Sequence, residues 1–314
     1  MGKVAFLFPG QGSQSVGMGK DIYNNYQAAK NVFDKAKQVI GKDISKLCFE
    51  GTEDELKQTI NSQPAIVTTS IAILEALRAQ LDIQPHYVAG HSLGEYCAMY
   101  TSGVMDLETT LKAIQKRASL MNEVKGGTMS AVLNAPFGSV EKALNEASEI
   151  GYVDVANYNS PAQVVLTGEE AAVKKAGELL LEAGAKRVVP LAVSGAFHSK
   201  FLAGASKEFA NYVSDLDLAS AFVPVVTNVD GAATISAEDF RNKMPRQICS
   251  SVHWTQTIEN MIKNGVNIFV EIGPGKVLAG LNQKINSEVT TYNVYDSKSL
   301  EDTVSLLKEE LALI

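Results

Sequence analysis

Cysteine is scarce in this chain, and clustered positive charge is missing. Only three cysteines occur in 314 residues. Cys48, Cys97 and Cys249 form an odd, scattered set, which excludes a disulfide framework and gives no metal-ligand spacing, so no metal is expected. They read as buried small hydrophobes in a reducing cytoplasm. Lys and Arg total 28 against 35 Asp and Glu, a net charge of −7. Binding to nucleic acid or a membrane surface needs grouped cations, which are absent, and any acidic partner must meet a local basic patch. No apolar run is long enough to span a bilayer, and residues 4–8 before Pro9 are too short for a signal-peptide core. The glycine loop at 9–14 lacks a dinucleotide fingerprint, because Ser15 stands where the third small residue belongs, and no Lys-Ser/Thr pair completes a phosphate loop.

What remains is an ordinary globular composition, 46% hydrophobic and 20% charged, able to build one or two domains. The pattern predicts an α/β protein with a parallel sheet. Strands are expected at 4–8, 223–227 and 267–272, and helices from about residue 20, over 64–81 and over 106–121. Leu107, Leu111, Ile114, Ala118 and Met121 share a face of the last helix. Arg117 falls on the border of that stripe, where a guanidinium either snorkels to solvent or enters a cleft. From 126 to 193 the texture tightens to strand 128–133, helix 137–148, strands 152–156 and 163–167, helix 169–183 and strand 186–191. That β-α-β-β-α-β order predicts a ferredoxin-like small subdomain, 126–193, inserted between 1–125 and 194–314 of a large one.

The stretch 88–96, Val-Ala-Gly-His-Ser-Leu-Gly-Glu-Tyr, carries the chemistry. A strand end, a glycine-flanked turn and a helix start make a nucleophile elbow that would lift Ser92. The Leu93 amide then lies at a helix N-terminus suited to an oxyanion, and the loop amide of Gln11 is a candidate second donor. His198 opens a helix whose Phe201, Leu202, Ala205 and Phe209 share its face. It reads either as a core histidine or, in a first turn that keeps it neutral, as a base. A hydrolase arrangement with His253 and Asp215 or Asp230 is the competing pattern.

Together, FPGQGSQ at 8–14, NSQPAI at 61–66, GHSLGEY at 90–96, the Arg117 helix, NYNSPAQVVLTG at 157–168, SGAFHS at 194–199 and EIGPGKVL at 271–278 run through nearly the whole chain. In order and spacing they resemble the malonyl-CoA:acyl-carrier-protein transacylases of type II fatty acid synthesis. That resemblance implies an α/β-hydrolase-like core with a ferredoxin-like subdomain. It implies Ser92 as nucleophile, His198 as base, Gln11 and Leu93 as oxyanion donors, and Arg117 as the bidentate partner of the malonyl carboxylate. Gln247 matches the position whose main-chain carbonyl orients the histidine, and Phe197 the position that accompanies malonyl rather than methylmalonyl preference. Ala196 replaces a common proline. No cofactor is implied, since phosphopantetheine travels on the acyl carrier protein. A monomer is expected, with a basic patch near the cleft mouth involving Lys186, Arg187 or Lys200.

Overall fold

The computed structural model describes residues 2–193 and 195–312. Ser194, the first residue of the SGAFHS stretch, lies outside the described residues. The strands are β1 (Lys3–Phe8), β2 (Tyr87–Gly90), β3 (Thr128–Leu133), β4 (Val153–Ser160), β5 (Gln163–Gly168), β6 (Arg187–Pro190), β7 (Val225–Val226), β8 (Ala233–Thr234), β9 (Val266–Ile272) and β10 (Thr290–Val294).

Six of them make the large sheet, in the order β10-β9-β1-β2-β7-β8, parallel except for the β7–β8 edge. A parallel sheet is covered on both faces, so its strands are apolar throughout rather than alternating. In β1 the two faces still separate by the period of two. Val4, Phe6 and Phe8 enter the main core, whereas Ala5 and Leu7 pack with Trp254, Ile258 and Met261 of helix Trp254–Lys263. Helix Thr59–Gln80 runs through the main core, almost wholly buried, with Pro64 inside it. Apolar spacing places its start at 64; the helix begins earlier, at Thr59, with Pro64 in its second turn.

The small sheet is antiparallel, in the order β4-β5-β3-β6. Helices Ser139–Ala147 and Glu170–Glu182 cover one face through Val132, Val155, Leu166, Val173 and Leu180. Met129, Ala131, Ala156 and Val165 join the main core instead. Element order and sheet order are those of a ferredoxin-like unit on an α/β-hydrolase-like core. β4 runs on to Ser160, beyond the expected 156, with register shifts after Val155 and Tyr158. Its second half, Asn157-Tyr158-Asn159, breaks the apolar alternation that marks a strand, because Asn157 and Asn159 are buried against the cleft rather than the core.

Two expectations need correction. β7 is only Val225–Val226, not 223–227, since Pro224 carries no amide donor and Thr227 already turns toward β8 by bonding Ala232. Cys48 and Cys97 are buried, but Cys249 is only half-buried at the end of helix Ala237–Cys249. No helix is long and apolar enough to cross a membrane among the described residues.

Candidate active site

The elbow follows directly from the glycines that flank it. A Cβ on Gly90 would stand 1.9 Å from the Gly94 carbonyl carbon, and one on Gly94 would stand 2.3 Å from the Phe8 oxygen. With both side chains absent, the chain leaves β2, turns through Ser92 at φ 51°, and enters helix Gly94–Thr101. A positive φ in a non-glycine residue is strained, and it aims the serine away from both elements.

Ser92 Oγ lies 2.8 Å from His198 Nε2. His198 Nδ1 faces two carbonyls, Gln247 at 3.0 Å and Ser250 at 3.1 Å. Two acceptors there require the proton on Nδ1, which leaves the Nε2 lone pair for the serine hydroxyl. His198 itself does not sit in a helical first turn. It occupies a left-handed turn, φ 55°, ahead of the 3₁₀ turn Lys200–Leu202 and helix Ala203–Ser214. The imidazole is kept neutral chiefly by burial, then by the charges of Arg117 and His91, which together push its pKa down to about 3. The helix dipole is not the main reason.

Arg117 is 1% exposed. Nη1 donates to Gln63 Oε1 at 2.6 Å, while Nη2 donates to Ser92 Oγ and to Gln247 Oε1, both at 3.0 Å. Its Nε has no partner, and the guanidinium carbon lies 5.7 Å from the Tyr96 ring centre. None of the ion pairs among the described residues includes it. The buried Glu95 carboxylate supports this charge only through space, its recorded contact being with the Asn228 amide, so the guanidinium touches neutral oxygens and no anion.

Ser92, His198, Arg117, Gln11, His91 and Phe197 all line one cavity of about 270 Å³, whose apolar wall includes Met121, Met129 and Leu191. It therefore lies between the large sheet's β1 and β2 loops and the small sheet. Gly10 lets the Gln11 loop close on the elbow, since a Cβ there would come within 2.7 Å of the His91 oxygen. Neither the Gln11 nor the Leu93 amide has a recorded acceptor among the described residues, so both are free for an oxyanion. Phe197 is buried, with Thr167 Oγ1 donating to its carbonyl at 2.9 Å.

An acyl transferase domain model matches residues 5–303. The malonyl CoA-acyl carrier protein transacylase of Bacillus subtilis is 41% identical over 314 residues, covering 99% of each chain. A crystal structure of the same-named protein from Clostridium perfringens superposes with a TM-score of 0.94 at 39% identity, again over 99% of both. A malonyl-transacylase in complex with its type II PKS acyl-carrier protein matches equally well, TM-score 0.94 at 36% identity over 96% of this chain and 99% of that one. The chain belongs to the malonyl CoA-acyl carrier protein transacylase family.

Other residues at this transacylase-type site went unassigned in the sequence. Gln63 sits inside the NSQPAI stretch yet betrays no role until helix Thr59–Gln80 brings it against Arg117. Gln247 contributes its side chain as well as its carbonyl, with Nε2 donating to the Ser92 carbonyl at 2.7 Å. Ser250 and Asn228 carried no signal. His253 and its candidate acids do not assemble at Ser92. His253 stacks on Tyr158 at 5.3 Å, Asp230 pairs with Lys243 at 2.8 Å, and Asp215 accepts from Ser214. Among the described residues, no group of three His, Cys, Asp or Glu is arranged to hold a metal.

Proposed function

We propose that the chain moves the malonyl group from malonyl-CoA to the phosphopantetheine thiol of an acyl carrier protein, supplying fatty acid synthesis, through a malonyl ester on Ser92. The observation that carries this reading is Arg117, buried, in contact with the serine hydroxyl, and hydrogen-bonded to no carboxylate among the described residues. A substrate whose acyl group ends in a carboxylate supplies that partner as a bidentate pair and arrives with its thioester beside Ser92.

Chemically, the Ser92 hydroxyl gives its proton to His198 Nε2 as Oγ attacks the thioester carbon. The Gln11 and Leu93 amides hold the tetrahedral oxyanion. Collapse breaks the carbon–sulfur bond and expels the coenzyme A thiolate, which takes the proton from His198 and leaves as the thiol. The carrier-protein thiol then attacks the ester by the same path in reverse, so the kinetics are ping-pong. Binding of the malonyl carboxylate also neutralises Arg117, one of the charges that oppose protonation of His198, and so makes the base stronger when the correct substrate is present. Phe197 and the methionine and leucine wall keep water from the ester, and the Phe197 ring leaves little room for an α-methyl group.

The catalytic unit needs no cofactor. The two subdomains, 1–125 with 194–314 and 126–193, supply opposite walls of the cleft. The enzyme acts in the cytoplasm as a monomer. For the acidic partner, Lys200 is the nearest in sequence to His198 of the three candidate cations, its ammonium 3.9 Å from the Tyr152 ring centre. Arg187 pairs with Leu133 at the far end of β6 from Leu191, one strand length from the cavity.

The test is intact-protein mass spectrometry after mixing with malonyl-CoA. One added malonyl group, lost on addition of holo carrier protein and gained by it, is the expected result. An unshifted mass, or a malonyl group released to water rather than to the thiol, contradicts the proposal.

A further inference from the structure

The elbow leaves two backbone groups that strand pairing does not satisfy on the β7 side. β2 meets β7 only at Val88 with Val225 and Ala89 with Val226, because the chain then turns out of the sheet. The Gly90 carbonyl and the Ser92 amide lie beyond that ladder, in a buried region where an unpaired backbone group is costly. Both are taken up by one side chain. Asn228 Nδ2 donates to the Gly90 carbonyl at 2.8 Å, and Asn228 Oδ1 accepts from the Ser92 amide at 2.8 Å.

Building on the reading of Ser92 as nucleophile, we infer that Asn228 is a positioning residue whose side-chain amide continues the sheet ladder around the turn and holds Ser92 in its left-handed conformation. Asn228 is itself held rigidly. Its own amide donates to the buried Glu95 carboxylate at 2.6 Å, and its carbonyl accepts from the His253 amide at 2.9 Å. Glu95 stands in the first turn of the helix that follows the elbow, so residues 90, 92, 95 and 228 close a ring around the strained serine. Gln247 Nε2, 2.7 Å from the Ser92 carbonyl and 3.4 Å from Asn228 Oδ1, ties that ring to the group that orients His198. A carboxamide is the side chain that offers a donor and an acceptor at peptide spacing without a charge. Aspartate keeps the acceptor and loses the donor; alanine loses both.

Asn228→Ala and Asn228→Asp test this through the rate at which a small neutral fluorophosphonate labels Ser92, read beside the malonyl-CoA KM, kcat and the unfolding temperature. A misplaced nucleophile slows labelling of folded protein by about 100-fold in the alanine variant, the scale of a roughly 1 Å displacement, and less in the aspartate variant. kcat falls in parallel, whereas KM stays near the parental value, since Arg117 and the cavity are untouched. Labelling at the parental rate per folded molecule, with only the unfolding temperature lowered, overturns the inference, as does a change confined to KM. Should the alanine variant not fold, the aspartate variant decides by the same two criteria. A parent protein that reacts with the fluorophosphonate but accepts no malonyl group refutes the proposed function and leaves this test intact.

Discussion

Two regions of this molecule each hold a buried ionisable side chain, and they treat its hydrogen bonds in opposite ways. At the end of β9, the Glu271 carboxylate accepts from the Leu278 and Ala279 amides at 3.0 and 2.9 Å and from Asn293 Nδ2 at 2.7 Å. Those amides open helix Val277–Ile285, whose N-terminal dipole also favours an anion. Both carboxylate oxygens have donors from within the fold. At the other site Arg117 donates only to neutral oxygens, one of them the Ser92 hydroxyl, its Nε has no acceptor among the described residues, and the Glu95 carboxylate acts on it only through space. A buried carboxyl met by donors from within the fold is architecture; a buried guanidinium that touches no carboxylate is open to an anionic ligand.

The sharpest way to break the contrast is to remove the groups that depend on it. Ser92→Ala or His198→Ala should lower malonyl transfer by roughly 10⁴-fold or more, measured as carrier-protein malonylation, because a nucleophile and its base act as a unit. Arg117→Ala comes next. Loss of a buried charged partner should reduce malonyl kcat/KM by about 10²–10³-fold while acetyl-CoA turnover changes far less. Gln63→Leu, which strips Arg117 of its shortest hydrogen bond, should raise malonyl KM by about tenfold, the worth of one bond to a charged group. A Gln63 variant with parental KM would mean that Arg117 is held adequately by Gln247 alone.

Acidity sharpens the comparison further. His198 must be neutral to act as base, and its pKa is pushed down to about 3, so kcat/KM should show no loss from this group between pH 8 and pH 5. Below the ordinary histidine range the unfolded chain binds the proton that the folded chain refuses. This residue therefore makes stability fall as pH drops from about 6.5 toward 3. Glu271 acts in the other direction. Burial pushes its pKa up to about 7 against the donors that lower it, so its stabilising contribution is present in acid and is lost as pH rises through that value. Glu271→Gln should flatten the dependence of Tm on pH between about 4.5 and 7, cost about 1 kcal/mol from one imperfect hydrogen bond, and leave malonyl transfer unchanged. An equal loss of transfer would abolish the distinction between the two regions.

Of the candidate site residues, Ser92 was legible from local sequence alone. Gly90 and Gly94 bracket Ser92, whereas spacing left Arg117 open between snorkelling and a cleft and His198 open between core and base until the family resemblance gave them roles. The ferredoxin-like unit was legible from the order β-α-β-β-α-β of its short elements, although its sheet is covered on both faces. The supporting polar groups were not. Gln63, Asn228 and Ser250 come from elements distant in sequence, and nothing in local periodicity distinguishes a glutamine facing an arginine from one facing water. The extension of β4 was hidden for the related reason that Asn157 and Asn159 serve the cleft. His198 was found in the sequence but set in a helix, because the apolar spacing of Phe201, Leu202 and Phe209 runs smoothly back to it. Its positive φ is a product of packing that no spacing rule reports.

The most direct test of the central claim is a loading competition between malonyl-CoA and acetyl-CoA at equal concentration, read by intact mass in the parent protein and in Arg117→Ala. The account predicts malonyl-Ser92 almost exclusively in the parent, and loss or reversal of that preference in the variant. An unchanged malonyl preference in the variant would contradict it, since the waiting cation would then have no part in choosing the acyl group.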